Sequence, residues 1–454
     1  MRTFTKRIIL LLTVCTGICG CGAASHFEQP QMPVSEHLYG FEATDTTTIA
    51  DISWKDFFTD PFLQKIIGDA LENNADINVA REKINEAQAE LDKARKAFLP
   101  SLGIKPSGSL YYSEPRYGGA AHAYSLPFSA GWEIDLSGKL ALGKKIAAAE
   151  RKDAEIYLQS VQTELIATIA ECYYTLLKLD AQLEISLTTS KNWKENVRIM
   201  KAMKDAGLAN EASVSRTEAN CLSIEASLFD LEYQIKTLQN RMSVLTGTEP
   251  REFERGSIYD ETLSSRLSCG IPLQLLSRRP DVMRAQIALE KAFYNKKTAE
   301  ASFYPSLTIS GEIGWDKAVT SPAGLLASLG AGLVQPIFSK GVLKGNLEIT
   351  KAREREASVN FRNALLNAGA EVNSALALCE SAREKADIRI KQIEALESAV
   401  SSTEQLMRLS ESTYLEVLTA QQDLLSAQLQ QISDHYDAVS GAVELYRALG
   451  GGRE

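Results

Sequence analysis

The sequence predicts a mainly α-helical protein with a minor β component, arranged as an internal tandem repeat. Three observations carry that reading. Glycine (28) and proline (13) are few for 454 residues, while Ala, Leu, Glu, Lys and Gln crowd the middle of the chain. Two stretches, Gly138 to about Lys204 and Gly341 to about Leu409, contain no proline and repeat apolar residues at steps of three and four. The segment KARKAFLPSLGI around Pro100 returns as AEASFYPSLTI around Pro305, 205 residues later. Hydrophobic residues at 44% and charged residues at 24% exclude wholesale disorder and a polytopic helical membrane protein. The formal charge of −9, with no dense basic stretch after the first seven residues, argues against nucleic acid as a partner.

Residues 1–20 carry Arg2, Lys6 and Arg7, then the apolar run Ile8 to Val14, then small residues. This is the layout of a signal peptide, and the run is too short for a membrane-spanning helix. Ile18-Cys19-Gly20-Cys21 resembles the lipobox of bacterial lipoproteins, which makes Cys21 the candidate lipid attachment site. An ordinary secretory cut that leaves Cys21 a plain thiol is the alternative. Residues 21–60 then form a lipid-anchored N-terminal segment. The seven cysteines show no C-x-x-C pair outside the leader, and the four histidines lie far apart in sequence, so no metal site or cofactor is expected.

The first repeat covers 61–246. It opens with a helix, and its strand pair lies within 102–135: Leu102 to Tyr112 and Ala123 to Asp135 alternate with period two. The second repeat covers 280–449, with a pair within 307–338: Leu307 to Asp316 and Leu325 to Phe338. Tyr111, Tyr112, Trp132 and Trp315 stand near strand ends, as in aromatic belts at a membrane interface. A hairpin on a soluble domain is the plainer alternative. Four strands cannot close a pore, so either the hairpins lie flat or several chains pool them.

Each long run, roughly seventy residues, gives about 100 Å of helix, and the spacing suggests coiled-coil packing. Leu158, Val161, Leu165, Ile169, Tyr173, Leu176, Leu183 and Leu187 mark one face of the first. Leu365, Val372, Leu376, Cys379, Ala386, Ile390 and Ile393 mark one of the second. The breaks Asp205 to Asn210 and Ser410 to Thr413 are each followed by a returning helix, so 138–246 and 341–449 read as antiparallel helical hairpins. A linker, 247–279, joins the repeats, and 450–454 is a tail.

These residues resemble the outer-membrane efflux proteins, the TolC-like channel-tunnels, in their lipoprotein branch. The resemblance rests on five matches in family order: Trp54-Lys55-Asp56-Phe57-Phe58-Thr59-Asp60-Pro61-Phe62-Leu63, Leu99-Pro100-Ser101-Leu102 with its second copy, Ser277-Arg278-Arg279-Pro280-Asp281-Val282, Gln335-Pro336-Ile337-Phe338, and Tyr414 to Gln421. It implies a homotrimer whose protomers each give four strands to a twelve-stranded transmembrane β-barrel and their helices to a coiled-coil α-barrel. It implies a passive exit duct anchored in outer-membrane lipid, served by a periplasmic adaptor and an inner-membrane pump. It places the periplasmic aperture at the second break, where Glu416 would repeat as a ring of carboxylates. Tyr414 and Thr419 flank it, and Ser215 and Arg216 are its counterparts in the first repeat. Thr419 stands where relatives often carry a second acid.

Arg278, Arg279, Pro280 and Asp281 read as a helix-start motif, with Pro280 suited to the first turn and Asp281 to the positive end of the dipole. No nucleotide-binding or hydrolase motif occurs, so an enzyme is not expected. The rival reading is a periplasmic coiled-coil adaptor or scaffold lipoprotein without a pore. The transported cargo is not readable from the sequence.

Overall fold

The computed structural model describes residues 27–28, 53–112, 120–260, 279–317, 324–409 and 413–451. The signal peptide, Cys21, most of the strand-connecting turns, the end of the linker with Arg278, Ser410-Glu411-Ser412 and the last three residues lie outside the described residues.

The order of elements is α1 (Trp54–Phe57), α2 (Pro61–Asn73), α3 (Ala75–Lys96), β1 (Ser101–Ile104), β2 (Ser107–Tyr112), β3 (Ala120–Ile134), α4 (Lys139–Asp205) and α5 (Glu211–Leu245). After a 3-10 turn at Ile258–Asp260 come α6 (Pro280–Ala301), β4 (Ser306–Lys317), β5 (Gly324–Val334), α7 (Val342–Arg408) and α8 (Tyr414–Ala448). The repeat is a structural one. Helices α4 and α7 have 67 residues each, α5 and α8 have 35 each, and α3 and α6 have 22 each.

Local chemistry sets the boundaries. The Asp60 carboxylate accepts from the Phe62 and Leu63 amides and Pro61 begins α2, while Asn74 Oδ1 accepts from Asp76 and Ile77 at the start of α3. Asp135 accepts from Leu140 and Ala141 at the head of α4. Helix α4 stops at Gly207, whose φ of 74° suits glycine, and Asn210 caps α5 through Ser213 N at 2.8 Å.

The sheet is antiparallel in the order β1-β3-β4-β5, with β2 also on β3. Where four strands were expected, the first is split: β1 and β2 share one continuous register on β3, interrupted at Lys105-Pro106. Two prolines explain the break. Pro106 has no N–H, and Pro127 on β3 accepts from Lys105 N at 3.3 Å but can return no bond. The last strand ends at Val334 rather than Phe338, because pairing runs out at Ser306↔Val334 and Pro336 has no N–H to extend it. The repeat reappears as a pair of corner bonds: Trp132 Nε1 donates to Phe98 O and Gln335 Nε2 donates to Phe303 O, each at 2.9 Å. Each ties the end of a strand to the carbonyl before a Pro-Ser-Leu corner.

Two compact units emerge, and neither coincides with one repeat. One holds the sheet with Glu82–Ile156 and Arg284–Asn363. In it Leu142, Tyr294 and Ala301 form a small core joined by Ile146, Phe293 and Phe27. The other unit holds Tyr157–Met283 and the chain from Ala364 onward, together with the segment up to Arg81. Its core includes Ile166, Ile169, Tyr173, Leu176, Val443 and Tyr446, each at most 2% exposed. The opening aromatic motif packs here: Phe57 stacks on Tyr446 at 4.6 Å and Phe58 meets it edge-on at 5.4 Å.

The predicted helix faces need correction. Leu165, Ile169, Tyr173 and Leu176 are buried as expected, but Leu187, Ala386 and Ile390 are exposed. On α7 Val372 and Ile393 are buried as expected, and the rest of the buried line runs through Ala368, Ala375 and Ala382. Small residues win there because α8 approaches closely: a Cβ on Gly441 would stand 2.8 Å from Cys379 Sγ.

Candidate functional site

Two surfaces carry the chemistry. The first is the sheet, where strand alternation and register sort every position onto one of two faces. On one face Leu126 pairs Trp315, Phe128 pairs Ile313, Trp132 pairs Ile309, and Trp315 pairs Leu325. On the other Ser129 pairs Glu312, Gly131 pairs Ser310, Ser125 pairs Asp316, and Glu133 pairs Thr308. The apolar side chains are left in the open: Leu102 is 83% exposed and Leu329 84%. From Trp132 to Tyr124 the apolar face spans about 27 Å of strand, comparable to the band of an outer-membrane barrel. Among the described residues both outer edges, the β1–β2 line and β5, pair on one side only. No described helix is long and apolar enough to cross a membrane.

The second surface lies where the helical hairpins turn. Lys204–Glu211, Lys201–Glu218 and Lys194–Glu225 ion pairs tie α4 to α5. They are solvent-exposed, so each contributes little. The apolar cluster beneath them does more: Trp193 and Met200 of α4, Val214 and Cys221 of α5, and Tyr414 and Leu418 of α8. Polar links run alongside, with Asn196 Nδ2 donating to Gln421 Oε1 at 2.8 Å and Gln421 Nε2 to Glu404 Oε1 at 3.2 Å. Trp193, Glu404 and Gln421 also line a cleft of about 460 Å³ with Glu184, Asn192 and Gln428.

Of the aperture residues read from the sequence, Glu416, Thr419, Ser215 and Arg216 are exposed. Thr419 Oγ1 donates back to Leu415 O at 2.9 Å. Tyr414 differs from them: it is 9% exposed and part of the apolar cluster, and its hydroxyl is buried without a hydrogen-bond partner. Burial first, then the Glu404 and Glu195 carboxylates, push its phenol up to about 12. An orphaned buried hydroxyl costs stability. Tyr414→Phe is therefore expected to raise the unfolding free energy by about 1 kcal/mol, measured by denaturant titration. A loss of stability would show that the hydroxyl is satisfied.

The helix-start motif centres on a buried arginine. Arg279 is 6% exposed and bonds Asp281 through Nε and Nη2 at 3.0 and 2.9 Å, Ala448 O at 2.7 Å and Glu371 at 2.6 Å. Burial opposes its charge, but the bonds to Asp281 and Glu371 prevail and hold the guanidinium above its ordinary value. Pro280 is the first residue of α6, and Asp281 sits in its first turn.

Sequence reasoning missed the Asn196–Gln421–Glu404 chain and the pairing of Pro127 with Gly314. A polar residue on an otherwise apolar helix seam, and a proline inside a strand, were the available signals.

Comparison with known proteins agrees with this geometry. The family model described as outer membrane efflux protein matches residues 66–248 and 271–451. The cation efflux system protein CusC of Escherichia coli O6:H1 is 26% identical over 459 residues, covering 98% of each chain. The probable outer membrane lipoprotein SilC of Salmonella typhimurium is 26% identical over 454 residues, covering 96% of each. A CusC crystal structure, described for folding and transmembrane channel formation, superposes with a TM-score of 0.85 at 24% identity, covering 95% of this chain and 100% of that one. The poreless scaffold reading finds no support among these matches. With a matched family model over both repeats and a sheet that presents one apolar and one polar face, the chain belongs to the outer membrane efflux protein family and is an efflux channel of the outer membrane.

Proposed function

We propose that three copies of the chain form a passive exit duct, each giving its sheet to one twelve-stranded barrel and its helices to a tunnel wall. The observation that carries this is the sheet: one face is apolar, the other polar, and among the described residues both edges lack a partner strand. Unpaired backbone groups are too costly in lipid, and a sheet four strands wide is too narrow to close on itself around water. Three sheets joined edge to edge satisfy both conditions. The duct performs no reaction of its own. An inner-membrane pump supplies the energy, and a periplasmic adaptor links that pump to the hairpin turns.

Cys21 carries the lipid. Phe27, six residues on, packs against Phe293 with ring centroids 5.7 Å apart, in the core that includes Leu142 at the head of α4 and Ala301 at the end of α6. Six residues reach about 20 Å at most, so the acyl chains would enter the membrane close to where the helices meet the strands. Cys21→Ala separates the two attachments. The variant is expected to stay in the membrane pellet, to need detergent for extraction, and to run as a trimer by light scattering. A soluble monomer would overturn the proposal.

At the hairpin turn Glu416 is exposed on α8, two residues on from the buried Tyr414 and on a different face of the helix. Three copies close to a common axis form a ring of carboxylates that favours cations while ionised. Replacing Glu416 with Ala is expected to raise single-channel conductance about twofold and to weaken cation preference. Unchanged conductance and selectivity in planar bilayers would remove Glu416 from the aperture.

A further inference from the structure

We infer that His122 and Lys317 form a binding site for the phosphate of a lipid headgroup in the outer leaflet, an inference that rests on the barrel reading above. Lys317 Nζ lies 3.0 Å from His122 Nε2 and 5.9 Å from the Tyr124 ring centroid. By register Tyr124 pairs Lys317 and Leu110 pairs His122, so both nitrogen bases stand on the apolar face. Among the described strand residues on that face they are the only Lys, Arg, His, Asp or Glu; every other position is aliphatic, aromatic, glycine or proline. The carboxylates Glu133, Glu312 and Asp316 all fall on the opposite face.

Two bases on a surface otherwise built for hydrocarbon call for an explanation, since an ionised side chain is excluded from lipid unless it reaches the headgroups. These two do reach them. They sit at the strand ends far from the helices, level with Tyr112 and Tyr124 in the aromatic belt. A phosphate ester offers three acceptor oxygens and negative charge. The ammonium group has donors to spare after donating to the imidazole Nε2, and in that tautomer the imidazole carries its proton on Nδ1, which can donate as well. Both groups can then hold one phosphate through charge-assisted bonds. The stacked Tyr124 ring holds the lysine amine on that side. The two residues come from different repeats, so the site exists only once β3 and β4 have paired.

The test uses the full-length protein in detergent. Native mass spectrometry reads its binding of bisphosphorylated lipid A, of the same lipid after removal of its phosphates, and of bisphosphorylated lipid A with inorganic phosphate in excess. The expected results are about tenfold weaker binding of the dephosphorylated lipid, no displacement by inorganic phosphate, and the same tenfold loss for a His122→Gln, Lys317→Gln variant. Equal binding of the two lipids by the wild type would overturn the inference without relying on any variant. Displacement by inorganic phosphate would overturn the lipid assignment, and unaltered binding by the variant would overturn the residue assignment. Conductance recorded on the same preparations separates failure of this site from failure of the duct.

Discussion

Gly314→Val is expected to abolish assembly in the outer membrane. Gly314 on β4 lies opposite Pro127 on β3, and a Cβ built there would stand 2.3 Å from Leu126 O and 2.6 Å from Pro127 Cα. Because Pro127 spends its carbonyl on Lys105, its pairing with Gly314 is of the non-hydrogen-bonded kind, in which Cα atoms come closest. The obstructing atoms are backbone, so relief requires separating β3 from β4 in the middle of the sheet. Overpacking of this kind costs about 3 kcal/mol or more, concentrated on the pairing that joins the two repeats. The measurement is the fraction of folded protein in outer-membrane fractions, which should fall by about tenfold or more. Gly311→Ala is the matched control: its Cβ would meet nothing nearer than Leu329 Cδ1 at 3.6 Å, an ordinary contact. Gly311→Ala failing alongside Gly314→Val would show that glycine matters on β4 for another reason.

Arg279→Ala should produce the largest loss in the helical unit, about 2 to 4 kcal/mol. Most of it comes from the guanidinium's buried bond to a carbonyl at a helix end. Ala448 O, at the end of α8, accepts from Nη1 at 2.7 Å and would lose that donor, whereas Ala368 O, 3.5 Å away, lies inside α7 and keeps its helical bond. Asp281 and Glu371 contribute less, because their side chains are 48% and 53% exposed and return to water when the arginine goes. Arg279→Lys is expected to recover only part of the stability. A single ammonium cannot reproduce the planar fork that bonds Asp281 through Nε and Nη2 while reaching Ala448. Denaturant unfolding of the detergent-solubilised protein tests the order wild type, then lysine, then alanine. Equal stability of the alanine variant and wild type would show the arginine's bonds to be dispensable.

Much of the fold was legible because its signals are periodic. The two 67-residue helices follow from long spans without proline, and the Asp205 to Asn210 break follows from a glycine and a capping asparagine at the right spacing. The strands were legible from alternation, and the helix-start motif from the fit of Pro280 and Asp281 to a first turn. Less of the candidate site could be read. Tyr414 was grouped with Glu416 because they are two residues apart in an aperture motif. On a helix that separation turns them to different faces, one into the Trp193 cluster and one to solvent. The interruption at Lys105-Pro106 was half legible, since Pro106 lies inside the expected strand, but its completion by Pro127 depends on a residue of another strand.

The sequence by itself determined the repeat, the long helices, the approximate placing of the strand pairs and the family, since each is written in patterns that recur along the chain. Tertiary structure alone decided which residues meet across distance in the chain: Gly314 against Pro127, Arg279 against Ala448, Lys317 beside His122, and Tyr414 under Trp193. The physical reason is that propensity and periodicity act along the chain, whereas close approach and burial are set by whichever residue packing brings opposite.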